Sequence, residues 1–138
     1  MAFIVECRRR SPIVNDVSLE PTIEYYRRKL AEHGPTAQGM DWKDESARRL
    51  RFDAVSRHVD FTNRPTILEV GCGSGAFLDY CRELGRDVDY LGIDVCPEMV
   101  AACTARHGEG SAKLAAGGDL ADWSDRFDYV IAAGTFNT

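Results

Sequence analysis

The residues with the most chemical potential lie together in Glu69-Val70-Gly71-Cys72-Gly73-Ser74-Gly75, where a carboxylate precedes three glycines at alternate positions. Glycine lacks a Cβ, so such a loop can take positive φ and bring its backbone against a ligand. A helix starting just after the loop would point its positive N-terminal end at the same place. Gly71, Gly73 and Ala76 also satisfy the G-x-G-x-x-A dinucleotide fingerprint. Two features pull the other way. Glu69 repels a pyrophosphate and attracts a cation, and the glycines run one residue tighter than the dinucleotide pattern.

A second acid, Asp94, comes 19 residues after Gly75. At the end of a strand its two oxygens can accept both hydroxyl hydrogens of a ribose; it could equally cap a helix starting near Pro97. A third acid, Asp119 in Gly117-Gly118-Asp119-Leu120, could accept a hydrogen from an adenine amino group, or simply close a turn.

These side chains need a parallel sheet to position them. Residues 66–70 form a β-branched run that ends at the glycine loop, and residues 76–84 have helical periodicity and stop at Gly85. Residues 88–94 read as a second strand. A second crossover helix is expected from Pro97 to about His107, with Gly108 beyond it. Residues 113–116 are a weak third strand and residues 127–132 a stronger fourth. Strands alternating with helices predict an α/β fold, a Rossmann-like, doubly wound and mostly parallel sheet. In such folds the ligand crevice lies at the carboxyl ends of the strands.

Ahead of the sheet, Ile23, Tyr26 and Leu30 recur at helical spacing from about Pro21 until His33-Gly34-Pro35 stops them. A second helix is expected from about Asp44 to Val59. The organisation is therefore an irregular lead-in over 1–20, a helical cap over 21–62 and a ligand-binding domain over 63–138. Trp42, Tyr25 and Tyr26 could form an aromatic lid over a cationic ligand. Packing the N-terminal helices onto the sheet is the commoner use of such rings.

Composition narrows the classes. The 138 residues are 44% hydrophobic and 28% charged, with 12 Gly and 5 Pro, which excludes collagen-like and wholly disordered chains. A net charge of −5 disfavours a sequence-independent nucleic-acid coat. Five irregularly spaced cysteines make a poor disulfide framework, and with the three histidines they offer no zinc-ligand spacing, so no metal is expected. Cys81 and Cys103 read as small core residues. No apolar run reaches membrane-spanning length, and the expected setting is cytoplasmic, away from membranes.

Four segments in order, residues 67–75, Gly92-Ile93-Asp94, Gly118-Asp119-Leu120 and residues 127–132, resemble class I S-adenosylmethionine-dependent methyltransferases. That resemblance implies S-adenosyl-L-methionine as cofactor. Gly71, Cys72, Gly73 and Gly75 would line its methionine and ribose side, with Glu69 at its amino end. Asp94 would bind the ribose hydroxyls and Val95 would pack on adenine. Asp119 would take the adenine amino group, Leu120 would cover the ring and Ala132 would offer backbone near the methionine part. An acidic pocket suits a ligand carrying a sulfonium and an ammonium. A nicotinamide-dependent oxidoreductase and a non-catalytic, degenerate cofactor-binding fragment are the alternatives.

No catalytic base is identifiable. Residues 133–137 lack the Asn/Asp-Pro-Pro-aromatic signature of many base methyltransferases, which favours a small-molecule acceptor over nucleic acid or protein. The resemblance implies a seven-stranded sheet of which residues 63–138 supply the first four strands. The chain is therefore expected to be a shortened form of a longer protein. Its fourth strand would be a long apolar edge open to self-association.

Overall fold

The computed structural model describes residues 18–115 and 125–135. The elements are α1 (Glu20–His33), α2 (Glu45–Ser56), β1 (Thr66–Val70), α3 (Ala76–Glu83), β2 (Asp89–Asp94), α4 (Pro97–His107), β3 (Ala112–Leu114) and β4 (Tyr129–Ile131), with a single 3-10 turn at Gln38–Met40. The strands run parallel in the order β3-β2-β1-β4. This is the expected α/β, Rossmann-like sheet.

β1 is flanked on both sides, with Leu68 opposite Leu91 of β2 and Val130 of β4. Its Ile67, Leu68 and Glu69 are all buried. A parallel strand covered on both faces is expected to be apolar throughout, so a carboxylate at Glu69 breaks that pattern. α3 packs beside it through Ala76, Phe77, Leu78, Tyr80 and Cys81. Phe52 of α2 meets Phe77 edge-on at 5.3 Å between ring centroids, and Phe77 stacks on Tyr80 at 5.8 Å. The Tyr80 hydroxyl donates to Asp53 Oδ1 at 2.6 Å and lies 3.0 Å from Ser56 Oγ, so the one polar end in this cluster is satisfied.

Local signals set the helix limits. Asp44 Oδ1 accepts from the Ala47 N–H at 2.8 Å and caps α2. Pro21 and Pro97 occupy the first turns of α1 and α4. α1 buries no residue; two ion pairs hold it, Arg27 to Glu98 of α4 at 2.6 Å and Lys29 to Asp41 at 3.0 Å.

Three boundaries differ from expectation. α2 ends at Ser56 instead of running to Val59, because Ser56 Oγ turns back to the Asp53 carbonyl; Val55, Val59 and Phe61 still pack on the core. β3 begins at Ala112, one residue early, since the Ser111 carbonyl accepts from Gly92 and draws the chain into the sheet there. β4 is three residues long, shorter than the expected 127–132, because the Asp128 carboxylate bonds the Thr66 N–H and hydroxyl and the pairing starts only at Tyr129. It forms a sheet edge, with Val130 64% exposed. Cys72, Cys81, Cys96 and Cys103 are buried free thiols. No described helix is long and apolar enough to cross a membrane.

Candidate functional site

The ends of β1 and β2 converge on the glycine loop. The N–H groups of Gly71 and Cys72 both donate to the Ile93 carbonyl, at 2.8 and 3.0 Å, which ties the loop to the end of β2. The Gly73 N–H donates to Asp94 Oδ2 at 2.9 Å. Gly73 has φ +53°, and a Cβ there would lie 2.6 Å from Met40 Sδ, so only glycine lets the cap approach so closely.

Behind the loop, His107 of α4 lies 2.9 Å from the Gly75 carbonyl through Nε2 and 2.8 Å from the Arg82 guanidinium through Nδ1. A guanidinium only donates and a carbonyl only accepts, so His107 is the neutral Nε2–H tautomer. Burial holds its pKa below the usual range, in keeping with that state.

Two acids face the space above the loop. Glu69 is only 3% exposed and accepts a short hydrogen bond from the Tyr90 hydroxyl. Burial raises its pKa to about 8, although the Tyr90 bond pulls it down. Asp94 also accepts from the Cys96 N–H, at 2.9 Å through Oδ1. Burial raises its pKa, opposed by the N–H groups of Cys96, Gly73 and Val95. The two sequence readings of Asp94 therefore combine. Its oxygens brace the loop and the approach to α4, and the three N–H donors leave the carboxylate one acceptor position for a ligand.

A cavity of about 220 Å³ opens here. Of the residues that the sequence and the family resemblance offer as cofactor contacts, Glu69, Gly71, Cys72, Gly73, Asp94 and Val95 lie on its wall. Gly75 and Ala132, also predicted, do not. Gly75 starts α3 and turns its Cβ direction toward Cys103 and His107 of α4, while Ala132 is exposed between buried Ile131 and Ala133. The wall is instead continued by Ala133, Gly134 and Thr135, whose hydroxyl donates to the Val70 carbonyl over Gly71. Asp119 and Leu120 lie outside the described residues.

The cap forms the opposite wall through Thr22, Tyr26, Met40 and Trp42. Trp42 both packs and lines, meeting Phe52 edge-on at 6.4 Å. Tyr25 does not line the cavity; it packs edge-on against Tyr26 at 5.3 Å. Burial raises the Tyr26 pKa, with Asp41 and Asp94 adding to the effect. Met40, Thr22 and Thr135 have no sequence signal as wall residues. Tyr90, which bonds Glu69 from behind the wall, has no such signal either. Among the described residues, no group of three His, Cys, Asp or Glu is placed to hold a metal ion.

With this geometry in hand, comparison with known proteins is specific. The family described as "Methyltransferase domain" matches residues 67–138. Rv1506c of Mycobacterium tuberculosis, whose name places it provisionally among methyltransferases, is 43% identical over 83 residues, 59% of this chain and 48% of its own. A tRNA (guanine-N(7)-)-methyltransferase of Desulfitobacterium hafniense is 42% identical over 38 residues, 28% of this chain and 18% of its own. Among solved structures, the DhpI-SAM-HEP complex aligns with TM-score 0.52 at 23% identity, covering 83% of this chain and 50% of that one. The PH0226 protein of Pyrococcus horikoshii aligns with TM-score 0.50 at 21% identity, covering 78% and 49%. These two likenesses show the shared fold. The chain spans about half the length of Rv1506c.

Proposed function

Since the chain belongs to the methyltransferase domain family, we propose that it carries the cofactor-binding part of an S-adenosylmethionine-dependent methyltransferase. The observation that supports this most is the meeting of Glu69 and Asp94 in one cavity at the carboxyl ends of adjacent strands.

The residues present fit the cofactor. Glu69 is a buried acid whose one bonded partner is a neutral phenol, which suits an ammonium group. The remaining acceptor position of Asp94 suits a ribose hydroxyl, and Val95, Met99 and Ala115 give an apolar wall for adenine. By the family resemblance, Asp119 and Leu120 would also contact the adenine. Gly71 and Gly73 bring backbone to the methionine side.

S-adenosylmethionine supplies a methyl group on a positively charged sulfur, so its leaving group is already activated. What this chain contributes is positioning and exclusion of water. Asp94 fixes the loop and the ribose together. Met40, Tyr26 and Trp42 cover the cavity, and an aromatic face near a positive sulfur adds cation–π attraction. No side chain is assigned as general base. The acceptor we propose is a small molecule, because a net charge of −5 opposes a phosphate backbone. The buried free thiols support a reducing, cytoplasmic setting.

Calorimetry with S-adenosylmethionine, S-adenosylhomocysteine and NAD tests the reading. Both adenosyl ligands are expected to bind and NAD is not. Binding of NAD alone would overturn it.

A further inference from the structure

The second half of the site's chemistry lies beneath Glu69. Glu69 faces Gly92 in the β1–β2 register. A Cβ at Gly92 would lie 2.6 Å from Cys72 Sγ and 2.9 Å from the Tyr90 hydroxyl oxygen. The missing side chain is therefore the space through which Tyr90, two residues back on the same strand face, reaches Glu69. Tyr90 is itself held neutral by burial and by the adjacent acid. The other titratable groups acting on Glu69 are Asp94 at the end of β2, Cys72 in the loop, Cys81 on α3 and Cys103 on α4. None of these is a cation.

A carboxyl buried among thiols, a phenol and a second acid, with no cation beside it, is stable as the protonated acid, because an unpaired buried charge is heavily penalised. A ligand ammonium would supply the missing positive charge. This argument rests on the cofactor reading above and goes one step beyond it. We propose that the ligand's ammonium replaces a proton on Glu69, with Tyr90 as the positioning residue that keeps the carboxyl aimed into the cavity. The Glu69 O–H bond breaks, its proton leaves to solvent, and the carboxylate left behind pairs with the ammonium while still accepting from Tyr90. Cofactor capture is then coupled to release of one proton.

The probes are S-adenosylhomocysteine, which carries the ammonium, and 5′-methylthioadenosine, which lacks the amino-acid part. Titration calorimetry at about pH 6.5 in buffers of different ionisation enthalpy counts the protons. Release of about one proton per S-adenosylhomocysteine and none for 5′-methylthioadenosine is expected. Glu69→Gln should abolish the release and remove the advantage of S-adenosylhomocysteine. Tyr90→Phe should weaken S-adenosylhomocysteine about tenfold. It should leave 5′-methylthioadenosine unchanged and move the midpoint of proton release to higher pH. Tight S-adenosylhomocysteine binding without proton release overturns the proposal and leaves the cofactor reading intact. A Tyr90→Phe variant that weakens both ligands equally, or neither, overturns the role of Tyr90. Failure of both ligands to bind the unsubstituted protein overturns the cofactor reading itself.

Discussion

The two walls of the cavity are built on opposite physical terms. The floor, from β1 through α4, is set by buried side chains and by backbone hydrogen bonds: α3 alone buries five residues, and four N–H groups fix the loop and its exit toward α4. The cap, α1 and the turn after it, buries no residue of α1 and is tied down by ion pairs between partly exposed groups. Such pairs add little to stability, whereas buried apolar contacts dominate it. The floor is accordingly preorganised for a ligand, and the cap is the part expected to open locally at low free-energy cost.

The sharpest way to break this contrast is Phe77→Ala in the floor, which should lower unfolding free energy by about 3–5 kcal/mol in a denaturant titration. A loss no larger than that of a cap substitution would erase the distinction. The next effect comes from pH. The unfolded chain gives up the Glu69 proton in the ordinary carboxylate range, whereas the folded protein holds it to about 8. Unfolding in that interval releases a proton, so the ligand-free protein should lose stability as pH rises through it, by on the order of a few kcal/mol. Thermal melts between mildly acidic and mildly alkaline pH check the slope, and Glu69→Gln should flatten it.

A smaller effect is expected for Asp94→Asn, which keeps one acceptor oxygen and loses the other. It should reduce cofactor affinity by about 1–2 kcal/mol in calorimetry and speed hydrogen exchange at the Gly73 and Cys96 amides. The smallest is Arg27→Gln in the cap. The global unfolding midpoint should stay in place while α1 amides exchange faster and cofactor leaves sooner, as read by hydrogen exchange and stopped flow. A shifted midpoint would show that the cap contributes more than its contacts suggest.

The same contrast decides what a reader of the sequence can see. The floor is legible because its signals are local: β-branched runs, alternating glycines, and an acid closing each strand at Glu69 and Asp94. The α/β fold follows from those, and so do the glycine loop and the two acids that meet at the cavity. The cap is only half legible. The helical spacing of Ile23, Tyr26 and Leu30 marks α1, yet nothing near Met40 says that its sulfur will rest on Gly73, because that contact depends on how distant segments dock. Ala132 lies off the cavity wall for a different reason. The strand motif says where the chain emerges, but the alternation of Ile131, Ala132 and Ala133 decides which residue lines the cavity. Tyr90 shows a third limit, since its role depends on a side chain that Gly92 does not have.

The position of β1 between β2 and β4 has a consequence in time. β1 meets β2 across one short crossover, but Thr66 bonds Asp128, 62 residues further along. Closing the longer loop is the slower event. At ribosomal rates the interval between emergence of β2 and of β4 is about 2–8 s. For those seconds one edge of β1 stays open on the nascent chain. Of the described cavity wall, Ala133, Gly134 and Thr135 are the last to arrive, so this wall is completed only once β4 has emerged.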